Sequence, residues 1–579
     1  MSGWTDRRVT RRALLASGAV GGVVATAGCA DLVDRLSPGS GDQLSVTITA
    51  VPDDDDRQVN GIFSILESNL ETVGIDVRID LRSPHDFHEQ ILMENDFDMY
   101  VGHHPGGRSL DYLYTLCHSA FENDPGWQNP FGLTNIELDE LLELQRSSSG
   151  STRRDAIDDI LHTLLVEKPF VPICEPIEHR LVNPTSFEGW IPDRLDDQIG
   201  YLDLEPIGSD DRLTGTVTDA RPTQNVNPLA VYYRRRGTIT SLLYDSLGVY
   251  LDGTLTPWLA SDWDDGGDAI TVELRPNSLF HDGEPVTADD VVFTYDLLAD
   301  LSLGRTESPV PSPRFRRERS LVESIEEIDA STVELTLDTR GPHAPDALTI
   351  PILPKHVWQP VVTDLDEETA STEEWLREEL LSDDVDRIGS GPYQYESRSQ
   401  GDRLTLTRFD EHFTLDEWLS LPEPTVPEIR VRNVSNSPLA VDQVDGGSAA
   451  VTMYPLESHA VPDQSELEQA DLISSNARSF YHVGFNVRRW PFTNPHFRRA
   501  VASLIDREWI VSSVFDGHAE PISVPRSDRI ETEYDSWDGS DPETPFVGED
   551  GELDESAARD LFADTGLRYD ESGRLVVNH

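Results

Sequence analysis

The residues of this 579-residue chain whose types and spacing could do chemistry are mostly imidazoles and carboxylates. His103 and His104 are adjacent, Gly106 and Arg108 follow, and Asp111 lies three residues further on, while Asp53, Asp54, Asp55 and Asp56 form an acidic run upstream. Such a set suits a cationic solute, a metal chelate or a nickel- or zinc-like ion, with His103 and His104 as the metal ligands if there are any. The plainer reading is a solvated acidic loop and a lining pair of histidines, since adjacent His side chains often point apart. His85 and His88 could join by helical spacing, although an exposed helix start explains them equally well. Catalytic signatures are missing: there is no G-x-x-x-x-G-K-[ST] loop and no G-x-S-x-G elbow, and His88-Glu89 runs into Gln90-Ile91-Leu92 instead of completing H-E-x-x-H. Carboxylates are so abundant that pairs at catalytic distance arise by chance, so a secreted hydrolase stands as the alternative from another class. No cofactor is implied.

The elements that must position these residues begin at Leu44, where apolar and polar residues alternate through Thr49. A helical pattern follows at Ile62, Ile65, Leu66 and Leu70, then a strand from Ile75 to Leu81, a short helix over Phe87 to Met93 and a buried strand from Phe97 to Val101. Strand and helix alternating in this way predict an α/β lobe with a mainly parallel sheet, whose ligand site lies past the carboxyl ends of its strands, here the loop from His103 to Arg108. Helices are expected over 137–144 and 153–166, and Phe170 to Ile173 reads as a returning strand. Residues 192–213, rich in Asp, Gly and Pro, read as a linker. Beyond it strands are expected at 270–274, 332–337, 393–397 and 404–408. Helices are expected from Ala288 and over 494–504, the latter opened by Asn494 and Pro495.

Composition narrows the class. Asp and Glu number 107 against 46 Lys and Arg, a formal charge of −61, which argues against a nucleic-acid partner. Only Lys168 and Lys355 are lysines, and the acidic residues are spread along the whole chain, as suits a surface working in molar salt. Hydrophobic residues at 37% suffice for real cores. The N-terminus carries Arg7, Arg8, Arg11 and Arg12, a weakly apolar stretch and then Ala27-Gly28-Cys29, which reads as a twin-arginine export signal ending in a lipobox with Cys29 as the lipidated residue. Cys117 and Cys174 sit among apolar residues and are expected to be buried free thiols.

Several stretches resemble the extracytoplasmic solute-binding proteins of peptide/nickel-type ABC transporters, family 5. The most diagnostic run is Leu255-Thr256-Pro257-Trp258-Leu259-Ala260-Ser261-Asp262-Trp263, followed by residues 274–291 with Phe280-His281-Asp282-Gly283. Ile352 to Trp358, Gly389-Ser390-Gly391-Pro392-Tyr393 and residues 484–508 fit in the family's usual order. Residues 44–205 resemble the family's carboxyl-terminal portion, through Val73 to Val77, Asp96 to Met99, Asp111 to Tyr114 and Phe187-Glu188-Gly189-Trp190. The chain therefore looks circularly permuted, with a fusion of two incomplete copies as the rival.

The resemblance implies a two-lobed α/β fold like that of periplasmic binding proteins, type II, with the extra domain of the peptide-binding class. The expected division is 1–29 signal and lipobox, 30–43 linker, 44–172 first part of lobe 2, 173–212 return to lobe 1 and joining linker, 213–455 lobe 1 with the extra domain at about 244–350, and 456–579 second part of lobe 2. It also implies a receptor that delivers peptides or another small polar solute to ABC permease subunits, which the acidic, lysine-poor composition makes one of halophilic archaeal type. That receptor would be a monomer, lipid-anchored on the outer face of the cytoplasmic membrane. A nickel or metal-chelate binder is the alternative on the same fold. Dipeptide-binding members pair the peptide carboxylate with an Arg and its ammonium with an Asp. Ungapped counting from Val73-Gly74 puts Asp53 at the first of these positions, Gly106 at the second, and His103 where a Trp commonly opens the loop. The candidate ligand-binding set is Asp53, His103, His104, Gly106, Arg108, Asp111, Asn225 and Asn486.

Overall fold

A computed structural model describes residues 42–577, apart from 208–211, 231–236, 365–376, 378–379, 477 and 528–529. The export signal and Cys29 lie outside the described residues.

The first elements follow the alternation in the sequence: β1 (Ser45–Ala50), α1 (Arg57–Thr72), β2 (Asp76–Leu81), α2 (Pro84–His88) and β3 (Met99–His104). The Asp56 side chain caps α1 by accepting from the Val59 amide, so one member of the acidic run is spent on a helix start. Strands β1 and β2, and β1 and β3, are parallel. Then come α3 (Tyr112–Cys117), α4 (Ile136–Ser147) and α5 (Gly150–Glu167), the last two packed on each other. The strand expected over Phe170 to Ile173 is far longer. β4 runs from Phe170 to Val182, thirteen residues, and passes from one core to the other.

Beyond 192–206, which holds only single turns and a two-residue strand, the chain enters β5 (Arg212–Val217). A separate four-stranded antiparallel sheet follows, built from β6 (Ala260–Asp265), β7 (Ala269–Leu274), β8 (Val322–Asp329) and β9 (Thr332–Leu337), with α6 (Ala288–Ala299) begun by a Thr287/Asp290 capping box. The chain then returns to the main sheet with β10 (Tyr393–Ser399), β11 (Arg403–Arg408), β12 (Glu428–Asn433) and β13 (Val451–Thr452). Next are β14 (Asp471–Asn476), β15 (Phe480–Phe485), α7 (Pro495–Ala502) and β16 (Ala519–Pro521).

The main sheet has the order β10-β11-β12-β5-β13-β4-β15-β3-β1-β2, with β14 and β16 also paired to β4. Two large cores sit on it. One gathers buried side chains from Val182 to Met453. The other joins Leu44 to Cys174 with Phe480 to Leu575. A small third cluster around Leu181, Val434 and Ala440 also takes Leu456 and Ala470, so this stretch packs beside the first core before the chain crosses back. The crossing is made by β4 and β14, antiparallel over six residue pairs from Ile177↔Asn476 to Val182↔Asp471. Cys117 and Cys174 are buried and free. No helix of the described residues is long and apolar enough to cross a membrane.

Candidate functional site

The carboxyl end of β3 meets the strand crossing, and the loop after it lies between the two cores. His103 and His104, consecutive in a strand, point to opposite faces. His103 stands edge-on to Tyr481 and lines a cavity. His104 is buried among Phe480, Tyr112 and Trp127, and its Nδ1 accepts from the Gly106 amide at 2.9 Å. Burial, reinforced by the neighbouring His482, holds its pKa well below the usual imidazole value, so it stays neutral. The two rings therefore do not form a metal pair. Among the described residues the one grouping with ligand-like spacing is His85, Asp86 and Glu89, all exposed.

The cavity beside His103 measures about 80 Å³ and brings Asp55, Asp56 and Trp127 from one lobe against Arg221, just past β5, from the other. Burial raises the Asp55 pKa, with the Arg221 charge opposing. Asp53 does not line this space. It is exposed, and its Oδ1 accepts from Asn60 at 3.4 Å. The carboxylates at this cavity are Asp55 and Asp56 rather than Asp53, and Arg221, which the sequence reading did not single out, has as its only local signal its place just after a strand.

A larger cavity, about 490 Å³, lies on the other side of the loop, against the crossing strands. Gly107, Asp196, Arg478 and Asp535 line it, together with Glu175 and Glu520 around Arg526. Its lining includes five carboxylates, Glu175, Asp193, Asp196, Glu520 and Asp535, and two guanidinium groups, Arg478 and Arg526, with Asp196 also paired to the buried Arg180 at 2.5 Å. Burial pushes the Glu175 pKa up, and Arg526, 2.5 Å away, pulls it back.

Of the remaining candidates, Arg108 and Asp111 make contacts across the junction, while Asn225 and Asn486 bond within their own lobes. Gly106 has φ +67°, and a Cβ there would stand 1.5 Å from the carbonyl oxygen of Arg478, so neither an Asp nor any other side chain fits. Arg108 reaches Asp197 at 3.0 Å and lies over the Tyr250 ring. Asp111 is wholly buried. Its oxygens accept from Arg146 Nε and Nη2 at 2.8 and 2.9 Å and from Gln145 at 2.8 Å, with Arg317 of the opposite lobe at 3.4 Å. These partners leave it no free face for a solute. Around it Ser109 meets His343 at 3.2 Å and Arg146 meets Ser320 at 3.0 Å, all across the junction. Asn225 is buried and donates to the Leu381 carbonyl at 3.0 Å, lining only a small cavity of about 10 Å³. Asn486 ties Asn95 and Phe97 to the end of β15. Neither lines the two cavities beside the loop.

Residues 254–577 match the family described as bacterial extracellular solute-binding proteins, family 5, middle. The chain belongs to that family. Among curated relatives it is 26% identical over 320 residues to the oligopeptide-binding protein AppA of Bacillus subtilis, covering 54% of this chain and 51% of that protein. It is 22% identical over 349 residues to the glutathione-binding protein GsiB of Pectobacterium atrosepticum, covering 59% of each. The chain thus spans about half the length of the curated relatives it matches. Among solved structures, AppA from Bacillus subtilis in complex with a nonapeptide aligns with TM-score 0.44 and 21% identity over 63% of this chain and 67% of that one. NikZ from Campylobacter jejuni in complex with Ni(L-His) aligns with TM-score 0.41 and 18% identity over 63% and 65%. This is a family of extracellular solute-binding proteins.

Proposed function

We propose that this chain is the solute-binding receptor of an ABC importer and that it carries peptides or a similar polar solute bearing positive charge. The observation that carries the reading is the junction: two lobes joined by one pair of antiparallel strands, with cavities lined from both sides and rich in carboxylates. Two lobes on a short strand hinge can close around a solute, and closure adds contacts that neither lobe offers alone. The peptide class is supported by relatives named for oligopeptide and glutathione binding. Positive charge on the solute follows from the excess of carboxylates over arginines in the larger cavity. The opposed faces of His103 and His104 weigh against a metal chelate held by that pair.

The same proposal includes a circularly permuted order. In support, the first and last described segments pair: Gln43 bridges Val576, and the Leu44 amide donates to the Leu575 carbonyl at 2.8 Å. The proposed division takes the first core as lobe 1 and the second as lobe 2, with the stretch through Leu456 and Ala470 placed beside lobe 1 rather than in lobe 2. Twin-arginine export, lipidation at Cys29, a monomeric state, adaptation to molar salt and docking on membrane permease subunits complete the reading.

The test is mass spectrometry of whatever co-purifies with the protein from a high-salt host. A mixture of peptides enriched in Lys and Arg is the expected result. A stoichiometric metal or a non-peptide chelator overturns the peptide reading.

A further inference from the structure

The outer face of the first lobe's sheet carries a cluster that this acidic chain does not lead one to expect. Along β12 the buried Ile429 and Val431 alternate with Arg430 and Arg432 on the other face. Arg432 sits directly opposite Arg403 of β11, and Arg212 of β5 lies beside Glu428 of β12. The four guanidinium groups and Asp402 line a cavity of about 420 Å³, with Thr214 and Ser448 adding hydroxyls at its edge.

The charges in this cavity are not balanced. Glu428 is shared by Arg212 at 2.6 Å and Arg430 at 2.8 Å, both on the same carboxylate oxygen. Among the described residues Arg403 and Arg432 have no carboxylate within ion-pair distance, and the buried Nε of Arg430 has no hydrogen-bond partner. Like charges directly opposite on neighbouring strands destabilise a sheet. With 107 acidic residues against 46 basic ones, pairing each arginine would have been easy. An unpaired Arg403/Arg432 pair beside an unsatisfied Arg430 Nε is what a bound anion would neutralise. The planar fork of arginine matches the oxygens of phosphate-type groups, which accept several such bonds at once.

We propose that this cavity is a binding site for a multiply charged phosphate-class oxyanion, distinct from the solute cleft and independent of which solute that cleft takes. Its ligand is either a free polyphosphate-type anion or the phosphate of a lipid headgroup.

Pyrophosphate is the probe. Isothermal titration of the 579-residue chain at about 0.15 M salt, where the Debye length is about 8 Å, is expected to show saturable one-to-one binding. The double variant R403Q/R432Q should bind at least tenfold more weakly, while R340Q, an exposed arginine just past the end of the separate four-stranded sheet, should bind as wild type. Without pyrophosphate the double variant should melt at or above the wild-type temperature, because the opposed charges are gone. If the double variant does not fold, R432K keeps the charge, loses the fork and should weaken binding several-fold. Sedimentation with phosphatidylcholine vesicles containing phosphatidylglycerol separates the sources. Binding displaced by pyrophosphate and lost in the double variant assigns the headgroup, and its absence assigns the free anion. No saturable pyrophosphate binding, or equal affinity in wild type and R403Q/R432Q, overturns the site.

Discussion

Replacing Asp111 with Asn is the sharpest perturbation of the junction, because it keeps the shape and removes one charge. The wild-type carboxylate is wholly buried. Burial alone would raise its pKa, but the Arg146 charge and hydrogen bonds, with help from Arg317, hold it well below the usual carboxylate range. The variant leaves Arg146, itself buried, facing a neutral amide. Breaking a buried pair by removing one partner costs about 3–5 kcal/mol. For folding units of roughly 150–250 residues each kcal/mol moves the melting temperature by about 2–4 °C, so a fall of about 6–20 °C is expected at neutral pH. The sign of the pH dependence follows from the lowered pKa. The stabilisation is complete above the unfolded-state value near 4 and is lost progressively as pH falls below it, so the gap between wild type and variant should narrow in acid. Melting curves by circular dichroism at neutral pH and at about pH 3 measure both. A fall below about 2 °C, or a gap of equal size in acid, would refute the claim that the buried Asp111 carboxylate, paired with Arg146 and Arg317, stabilises the fold.

Other consequences follow from the same geometry. R317M removes the cross-lobe partner of Asp111 while Arg146 remains, so the protein should stay folded but release solute faster, as stopped-flow dissociation would show; an unchanged rate speaks against a latch. Gly106→Ala should abolish solute retention and enlarge the particle in small-angle scattering, because a left-handed backbone costs a non-glycine residue about 1–2 kcal/mol and the new carbon would collide with the Arg478 carbonyl. Burial pushes His482 down to about 3 and His281 and His343 down to about 4, so these imidazoles stay neutral in the fold while the unfolded chain takes up protons. Stability should therefore begin to fall as pH drops below about 6.5, and H482Q should flatten that slope between pH 6 and 4.5 by roughly one proton; an unaltered slope counts against it. Raising salt from about 0.1 M to about 1 M, which shortens the Debye length from about 10 to 3 Å, should raise the melting temperature of a chain of charge −61, and a flat response would count against the high-salt reading.

Local pattern was enough for most of the elements. The alternation from Leu44, the periodicity over 62–70 and the Asn494-Pro495 start all reappear as β1, α1 and α7. It failed at β4, where Pro172, Glu175, Pro176, Glu178, His179 and Arg180 break the apolar run. Those polar residues are tolerated because they lie where the strand passes between cores: Glu178 and Arg180 pair at 3.0 Å, and Arg180 also meets Asp196 at 2.5 Å. The cavities of the candidate site were legible as a place and less so as a set of residues. The loop after β3 does lie at the cavities, but strand alternation turned His104 inward. Asp111 reads as a candidate ligand because nothing local announces Arg146, 35 residues on, or Arg317, 206 residues on. Long-range partners of this kind decide whether a carboxylate faces solute or protein, and they carry no local signature.

The way this chain spends its arginines bears on how its lobes could stay associated in strong salt. Exposed ion pairs are worth little in any buffer and less as screening shortens the Debye length. A junction built from such pairs would loosen in molar salt. Here the central cross-lobe contact, Arg317 to Asp111 at 3.4 Å, ends on a carboxylate that is fully enclosed and held by the buried Arg146 of its own lobe, and the cross-lobe hydrogen bonds from Ser109 to His343 and from Arg146 to Ser320 are short-range and directional. Screening acts through solvent, so contacts shielded from it keep their strength while the carboxylates on the outside lose their mutual repulsion. The same salt that quiets the surface would therefore leave the junction intact, and closure would depend on the solute in the cleft more than on the ionic strength around it.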